Sequence, residues 1–459
     1  MLQFLCTQVQ KGLIMNLDFL NKLLTVLLLI GVSNIDFYVG YPFMDEQLYF
    51  LLLLVSLSCI FNNILLILGG IILFFAYPYL SEYALSEVTT LRLLAITLLS
   101  LIFWGLYRTS GKGFAIIFGL FLLYPFLIYN PVKALDILSF IVIDNTAMLG
   151  IAMYIICGIV FMFVIFGQLM VHIGLIDKLM YYITKHIKSP ARVAIMSSAV
   201  FGSVSGAAVS NVMSTGQLTI PLMIRCGYSK VKAAAYEAVA STGGQLMPPI
   251  MGAAAFLMAE SLSISYWEVV KVAIIPSLLF YSILLLTVPK EEKNYSIGIL
   301  KKRLRYPPLG QLGLDTGNIM SGLIILGAAV GLIIGIMDQT GLSFHISTYI
   351  IELSGGNSFL LLLLTAALCI VLGMGMPTVS TYLIVSIVAA PALVESGFTE
   401  IYAHLFVLYY GCLSLITPPV AICSFAAAKL SGANPMAVSL ESVYIGWPLF
   451  LVPFLFIML

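Results

Sequence analysis

Long, predominantly apolar stretches separated by polar breaks constrain this chain more than any other feature. They fall near 17–35, 48–61, 64–80, 91–107, 113–130 and 146–173, and again near 191–222, 231–260, 268–288, 319–338, 358–394, 401–429 and 439–459. A helix on the surface of a soluble protein is apolar along one stripe, whereas these runs are apolar all round. A bilayer-spanning helix takes roughly 20 such residues, so the chain can supply on the order of a dozen membrane segments. Strands of a membrane barrel would be short and alternating. The expected fold class is therefore an all-α polytopic membrane protein, with the lipid bilayer as its first partner. Composition agrees, at 61% apolar and 9% charged residues, where a soluble domain carries about a quarter charged. With a net charge of +1 and no basic run outside loops, nucleic acid is excluded as a partner. The seven cysteines are scattered without a CxxC pair and read as packed small apolar residues. Residues 1–22 carry Lys11, Asp18 and Lys22 rather than a compact basic head, so no cleavable signal peptide is expected.

The polar breaks set the topology. Asn62-Asn63 reads as a tight turn between two short spans. Lys178, Lys185, Lys188 and Arg192 precede the 191–222 stretch, and Arg225, Lys230 and Lys232 follow it. The 289–318 loop holds Lys290, Lys293, Lys301, Lys302, Arg303 and Arg305, and Arg108 and Lys112 flank another break. The positive-inside rule assigns all of these to the cytoplasm. Acidic breaks at Asp36, Asp45 and Glu46, at Glu82 and Glu87, and at Glu260, Asp338, Glu395 and Glu400 then fall outside. The N-terminus is accordingly cytoplasmic in a multi-pass protein of the inner (cytoplasmic) membrane. The alternation closes only if 191–222 and 358–394 each enter and leave on one face, as re-entrant helical hairpins.

An internal repeat points the same way. A shift of 170 places Pro221 on Pro391, Gly227 on Gly397, Pro248-Pro249 on Pro418-Pro419 and Ser261 on Ser431. Each unit reads as a span, an amphipathic stretch (174–188, 341–355), a hairpin, a Pro-Pro-broken span and a final span. Three crossings separate the hairpins, which makes the repeat inverted, the architecture of secondary transporters with discontinuous helices. The expected domains are an N-terminal helical accessory bundle (1–145), a first transport repeat (146–288), a cytoplasmic charged loop (289–318) and a second, inverted repeat (319–459).

Non-helical backbone at membrane depth is tolerated only where it is buried in protein or lines a wet cavity. Four places require it: a first hairpin turn at Gly202-Ser203-Val204-Ser205-Gly206 followed by Ser210 and Asn211; a second at Gly373-Met374-Gly375-Met376-Pro377-Thr378; and breaks at Ser241–Gln245 with Pro248-Pro249 and at Thr417-Pro418-Pro419. Glycine permits the turn, and proline frees a carbonyl. Freed carbonyls and Ser, Thr and Asn oxygens suit a hard cation such as sodium, while half-helix N-termini favour an anion. Small-residue patches such as 202–208 and 252–255, taken singly, mark close helix packing. Their recurrence in both halves of a repeat favours a site. Ser205, Asn211, Gln245, Thr378 and Ser380 are the residues expected to hold a small organic anion.

Other residues carry less. Gly-x-Ser-x-Gly would need serine at 204, where Val204 stands. His172, His186, His345 and His404 show neither ligand nor triad spacing. Glu237, inside a predicted span, is the most notable intramembrane carboxylate, for which function and snorkelling to the nearby cytoplasmic surface are both open. Arg225 reads as a topology-setting loop charge.

The runs Ala240–Glu260 (ASTGGQLMPPIMGAAAFLMAE), Gly373–Thr378 (GMGMPT) and Ile416–Ala421 (ITPPVA) closely resemble fused permeases of the tripartite ATP-independent periplasmic (TRAP) transporters, nearest to the TAXI branch. The resemblance covers 146–459, and Tyr107–Gly111 (YRTSG) extends it weakly to a small-subunit portion. It implies a sodium-coupled, elevator-type importer of organic anions (carboxylates), fed by an extracytoplasmic substrate-binding protein and needing no further cofactor. Carried over, the family's ion sites fall on Ser203, Ser205 and Asn211 with Gly244 and Pro248, and on Gly373, Met376 and Thr378 with Thr417. The chain departs from fused relatives at 289–318, where they carry extra membrane segments between the repeats. A solute channel, whose pore hairpins can also line, is the first competing reading. An intramembrane enzyme is disfavoured by the lack of a nucleophile–base or metal constellation, so the chain is read as a non-enzyme.

Overall fold

The computed structural model describes residues 17–33, 44–82, 89–109, 112–289, 308–374, 376 and 378–458. Lys11, Asp36, Glu87, Ser110, Gly111, the loop cations Lys290, Lys293, Lys301, Lys302, Arg303 and Arg305, and the turn residues Gly375 and Pro377 lie outside the described residues, as does the side chain of Ser380. Among the described residues every regular element is helical. Six helices among these residues are long and apolar enough to cross a membrane, and shorter apolar helices accompany them. This is an all-α, multi-pass membrane protein.

The helices form two compact units. The first takes Met1–Leu169 and Pro307–Leu342. It contains α1 (Leu17–Ser33), α2 (Asp45–Phe61), α3 (Leu65–Glu82), α4 (Thr89–Thr109), α5 (Lys112–Ile128), α6 (Pro131–Ile143), most of α7 (Ile151–His172) and α14 (Leu309–Thr340). Asn62, in left-handed geometry (φ 53°, ψ 47°), closes α2, and the Ser58 hydroxyl donates to the Asn63 carbonyl, so the Asn-Asn pair forms the expected turn. α7 carries a π turn at Ile156–Val160.

α14 organises this unit, packing against α1, α2, α4, α5, α6 and α7. A helix touched on all sides is apolar on all sides, which accounts for its lack of a polar face. Its start differs from the sequence expectation. Residues 309–318, assigned above to the charged loop, form the first turns of α14. Two of their polar groups pair with α1: the Thr25 hydroxyl donates to the Gly313 carbonyl (2.8 Å) and the Asn21 amide to Asn318 Oδ1 (2.6 Å). Gly317 lets the two backbones approach until a Cβ there would collide with the Asn21 carbonyl.

The second unit takes Met170–Tyr306 and Ser343–Leu459. It holds α8 (Leu175–His186), α9 (Pro190–Ser205), α10 (Ala208–Arg225), α11 (Lys230–Gly243), α12 (Ala253–Ser261), α13 (Tyr266–Leu286), α15 (Leu342–Ser354), α16 (Ser358–Gly373), α17 (Thr378–Glu395), α18 (Glu400–Leu413), α19 (Ile422–Ser431) and α20 (Pro435–Ile457). Local signals place most of these ends. Ser189 caps α9 ahead of Pro190, Ser229 caps α11, Asn357 caps α16, and Asn434 caps α20 ahead of Pro435, each side chain satisfying free N-terminal amides. α9 packs on α10 and α16 on α17 as helical hairpins. Both second arms stop at a glycine with positive φ, Gly227 at 103° and Gly397 at 95°, and the next amide bonds back five residues, Tyr228 to Met223 and Phe398 to Leu393, each at 3.1 Å. α11 and α18 both run into a short 3-10 turn, Gly244–Leu246 and Ser414–Ile416, and then a cis Pro-Pro pair.

The collision at Gly317 generates a stability prediction. Gly317→Val forces α14 away from α1 and should cost about 1–3 kcal/mol. Gly322→Ala, whose Cβ has nothing closer than the Thr109 Cβ at 3.9 Å, should stay within about 0.5 kcal/mol. Unfolding midpoints of the purified variants in one detergent test the contrast.

Candidate functional site

The first hairpin lies directly on the first helix break. An added Cβ at Gly202 would sit 2.5 Å from the Gly244 Cα and 2.6 Å from the Asn211 amide nitrogen, and one at Gly206 would overlap Gly252. Glycine at these positions allows backbone to touch backbone. The turn itself is displaced from the expected place. α9 continues through Ser205, and the chain reverses over Gly206 and Ala207, with Gly206 at φ 63°. Ser203 therefore sits in a helix, its hydroxyl donating to the Val200 carbonyl (2.9 Å). The Ser205 hydroxyl is buried with no hydrogen-bond partner among the described residues, and Ser210 faces outward.

Asn211 joins the hairpin to the broken helix. Fully buried, its Nδ2 donates to the Ser198 carbonyl on α9 (2.8 Å) and to the Ser241 carbonyl on α11 (3.4 Å), and its Oδ1 accepts from the Thr215 hydroxyl (3.2 Å). At the break that follows, the Tyr266 hydroxyl donates to the Pro249 and Ile250 carbonyls, at 2.8 and 2.6 Å. Two of the carbonyls released there are thus already engaged. Pro248 is partly exposed.

The second hairpin meets the second break in the same way. A Cβ on Gly373 would lie 2.5 Å from the Ser414 hydroxyl and 2.8 Å from Thr381. The Met376 amide donates to the Gly373 carbonyl (3.3 Å), and the Met376 side chain is fully buried. The Thr417 hydroxyl donates to the Leu413 carbonyl of its own helix (2.8 Å). A polar link unites the two halves: Gln245 Oε1 accepts from the Thr378 hydroxyl (2.5 Å) and from the Cys412 thiol (3.5 Å). Gln245 and Thr378, 133 residues apart, thereby share one buried position.

The structure adds a group that spacing alone had not assembled. Glu237 has no exposed surface, which overturns snorkelling. Its carboxyl accepts from the hydroxyls of Ser198 (2.8 Å), Ser241 (3.1 Å), Thr215 and Thr219. A sequence signal for this ring does exist. Asn211, Thr215 and Thr219 recur every four residues, as do Glu237 and Ser241, and such spacing puts each set on one helix face. His404 is likewise paired, its Nδ1 lying 2.8 Å from the Tyr382 hydroxyl.

Two hairpins apposed to two broken helices, with six membrane-length apolar helices among the described residues, define a secondary transporter rather than a receptor or a structural span. A family model for the tripartite ATP-independent periplasmic transporter DctM component matches residues 48–298 and 293–459, and the chain belongs to that family. No curated protein matches the chain. Members of this family normally work with a periplasmic substrate-binding protein.

Asn211 supplies a test of the site. Asn211→Ala strands two buried carbonyl contacts beside the Gly202–Gly244 approach and should lower uptake at least about tenfold. Membrane expression should stay near wild type. Uptake at the wild-type rate would reduce Asn211 to a packing residue.

Proposed function

We propose that the chain is a sodium-coupled, elevator-type importer of small organic anions with carboxylate groups, fed by an extracytoplasmic substrate-binding protein. The observation that carries this reading is the Thr378–Gln245 hydrogen bond (2.5 Å), which brings the second hairpin to the first helix break. Ser205, Asn211, Gln245, Thr378 and Ser380 are assigned to the anion. Ser203, Ser205, Asn211, Gly244 and Pro248 form one sodium set, and Gly373, Met376, Thr378 and Thr417 the other. Hydroxyl, amide and backbone oxygens suit sodium, and the helix starts after each turn and break favour the anion. A compact unit that contains both hairpins supports the elevator reading.

Finer assignments belong to the same proposal: a fused permease of the TAXI branch in the inner membrane, its N-terminus cytoplasmic, residues 1–145 corresponding to the small subunit, and two transport repeats of opposite orientation. The motifs around Pro248-Pro249, Gly373–Thr378 and Pro418-Pro419 support the branch.

Reconstituted vesicles test the coupling and the partner together. Uptake should require the binding protein outside and an inward sodium gradient at equal pH. Thr378→Val and Thr417→Val should each raise the half-saturating sodium concentration about threefold to tenfold, the equivalent of one lost oxygen contact. Full uptake by the permease alone would indicate an ordinary carrier, and single-channel current would indicate a pore.

A further inference from the structure

Glu237 is a buried carboxyl that the proposed anion and sodium sets leave unused. It stands on α11 one turn before Ser241, and its four hydroxyl partners come from three helices: Ser198 on α9, Thr215 and Thr219 on α10, and Ser241 on α11. None of the four belongs to either sodium set. Among the described residues no lysine, arginine or histidine forms an ion pair with Glu237. The other groups near it are few. Tyr281 on α13 donates its hydroxyl to the Ala240 carbonyl (2.9 Å), three residues beyond Glu237. On the remaining helices packed against α11, Cys423 of α19 and Tyr409 and Cys412 of α18 are buried, Lys429 of α19 is exposed, and Glu441 of α20 is partly exposed. Arg192 and Arg225 stand at the outer ends of the two hairpin arms.

Counting hydrogens shows what this ring can hold. An ionised carboxylate offers about four acceptor positions, and each hydroxyl has one hydrogen to give. Ser198, Ser241 and Thr219 can each give theirs to the anion, while Thr215's single hydrogen is shared between Glu237 Oε1 and Asn211, so both carboxylate oxygens have a donor without a cation. The neutral acid is satisfied as well. Ser198, Thr215 and Ser241 converge on Oε1, whereas Oε2 has Thr219 as its partner. The Thr219 hydroxyl has a second acceptor, the Thr215 carbonyl at 3.0 Å. A proton on Oε2 would donate to the Thr219 oxygen, whose own hydrogen turns to that carbonyl. Both carboxyl oxygens keep a hydrogen-bond partner in either state, and no helix has to move. A carboxyl in a structural role needs one such state; this one has two.

The repeat offset shows that the second half has no counterpart. Positions 407, 385 and 389, which match Glu237, Thr215 and Thr219 at a shift of 170, hold Val407, Val385 and Ala389. The ring is thus a device of the first hairpin and not a feature of hairpin packing in general.

We propose that Glu237 is a proton-binding site of the transport cycle, loaded when the first hairpin parts from α11 and occluded in the conformation seen here. The proton arrives from water, bonds to Oε2, and leaves the same way. The site is additional to the sodium sets, and its existence does not depend on sodium being the driving ion.

Two measurements test it. Infrared difference spectra of the purified full-length protein should show a protonated-carboxyl band that grows on acidification within the range where the protein stays folded. Glu237→Gln, which keeps the side-chain shape and can donate to Thr219, should remove that band. A band that does not respond to pH, or one that survives in Glu237→Gln, overturns the proposal whether or not sodium drives uptake. In vesicles with the binding protein outside and a fixed sodium gradient, an inside-alkaline pH gradient should raise wild-type initial uptake at least about twofold and leave Glu237→Gln unaffected. Equal stimulation of both proteins, or of neither, overturns it too. Thr219→Val keeps the carboxyl but removes the hydroxyl that relays the Oε2 hydrogen, so its infrared titration should move away from the wild-type position. An unmoved titration would remove Oε2 from the proposal. If Glu237→Gln does not transport, the infrared titration alone decides.

Discussion

Backbone amides and carbonyls that leave helical geometry away from water must find partners inside the protein, and the hairpin-bearing unit is built around that constraint. Its solution is backbone laid against backbone. Gly202 meets Gly244 and Gly206 meets Gly252, so the broken helix and the hairpin seal one another where both are irregular. Asn211 completes the seal, because its amide reaches carbonyls on α9 and α11 together. Tyr266 does the same for the carbonyls of Pro249 and Ile250. A larger residue at any of the four glycines would separate these surfaces.

Once backbone is satisfied in this way, a second layer of polarity becomes affordable behind it. The ring of hydroxyls around Glu237 ties α9 and α10 to α11 through side chains alone. Burying a carboxyl costs several kcal/mol unless its oxygens are hydrogen-bonded, and four hydroxyls offset that cost. The second half takes a different course. Its hairpin rests on Ser414 and Thr381 through Gly373, and its polar link runs outward from Thr378 to Gln245. Similar backbone elements in the two halves thus carry different chemistry, a carboxyl ring in one and an amide bridge in the other.

The first unit answers to a different demand. α14 is long and packed by six other helices, and in its polar first turns the Gly313 carbonyl and Asn318 pair with Thr25 and Asn21 of α1. Those two pairings tie a stretch that reads as loop by polarity to its neighbour as helix.

Much of the architecture is legible in the chain itself, because bilayer helices are specified locally. Apolar length sets the spans, Ser, Asn and Pro set the helix starts, and Asn62, Gly227, Gly397 and the Pro-Pro pairs set the stops. Each of these acts on residues within a turn or two, where the backbone hydrogen bonds of a helix are made and broken. The site was legible only in outline. Glycine and serine at 202–206 announce an irregular backbone, yet the reversal at Gly206-Ala207 depends on Gly252 lying opposite. Gln245 and Thr378 share a hydrogen bond across 133 residues, and Ser198 finds Glu237 across 39. No local rule encodes such pairs, since partners on different helices are chosen by how the helices pack. The sequence by itself determined that the chain is a membrane protein of interrupted helices; only the tertiary structure decided which polar groups share a site, because a buried hydrogen bond is defined by the neighbour that packing supplies.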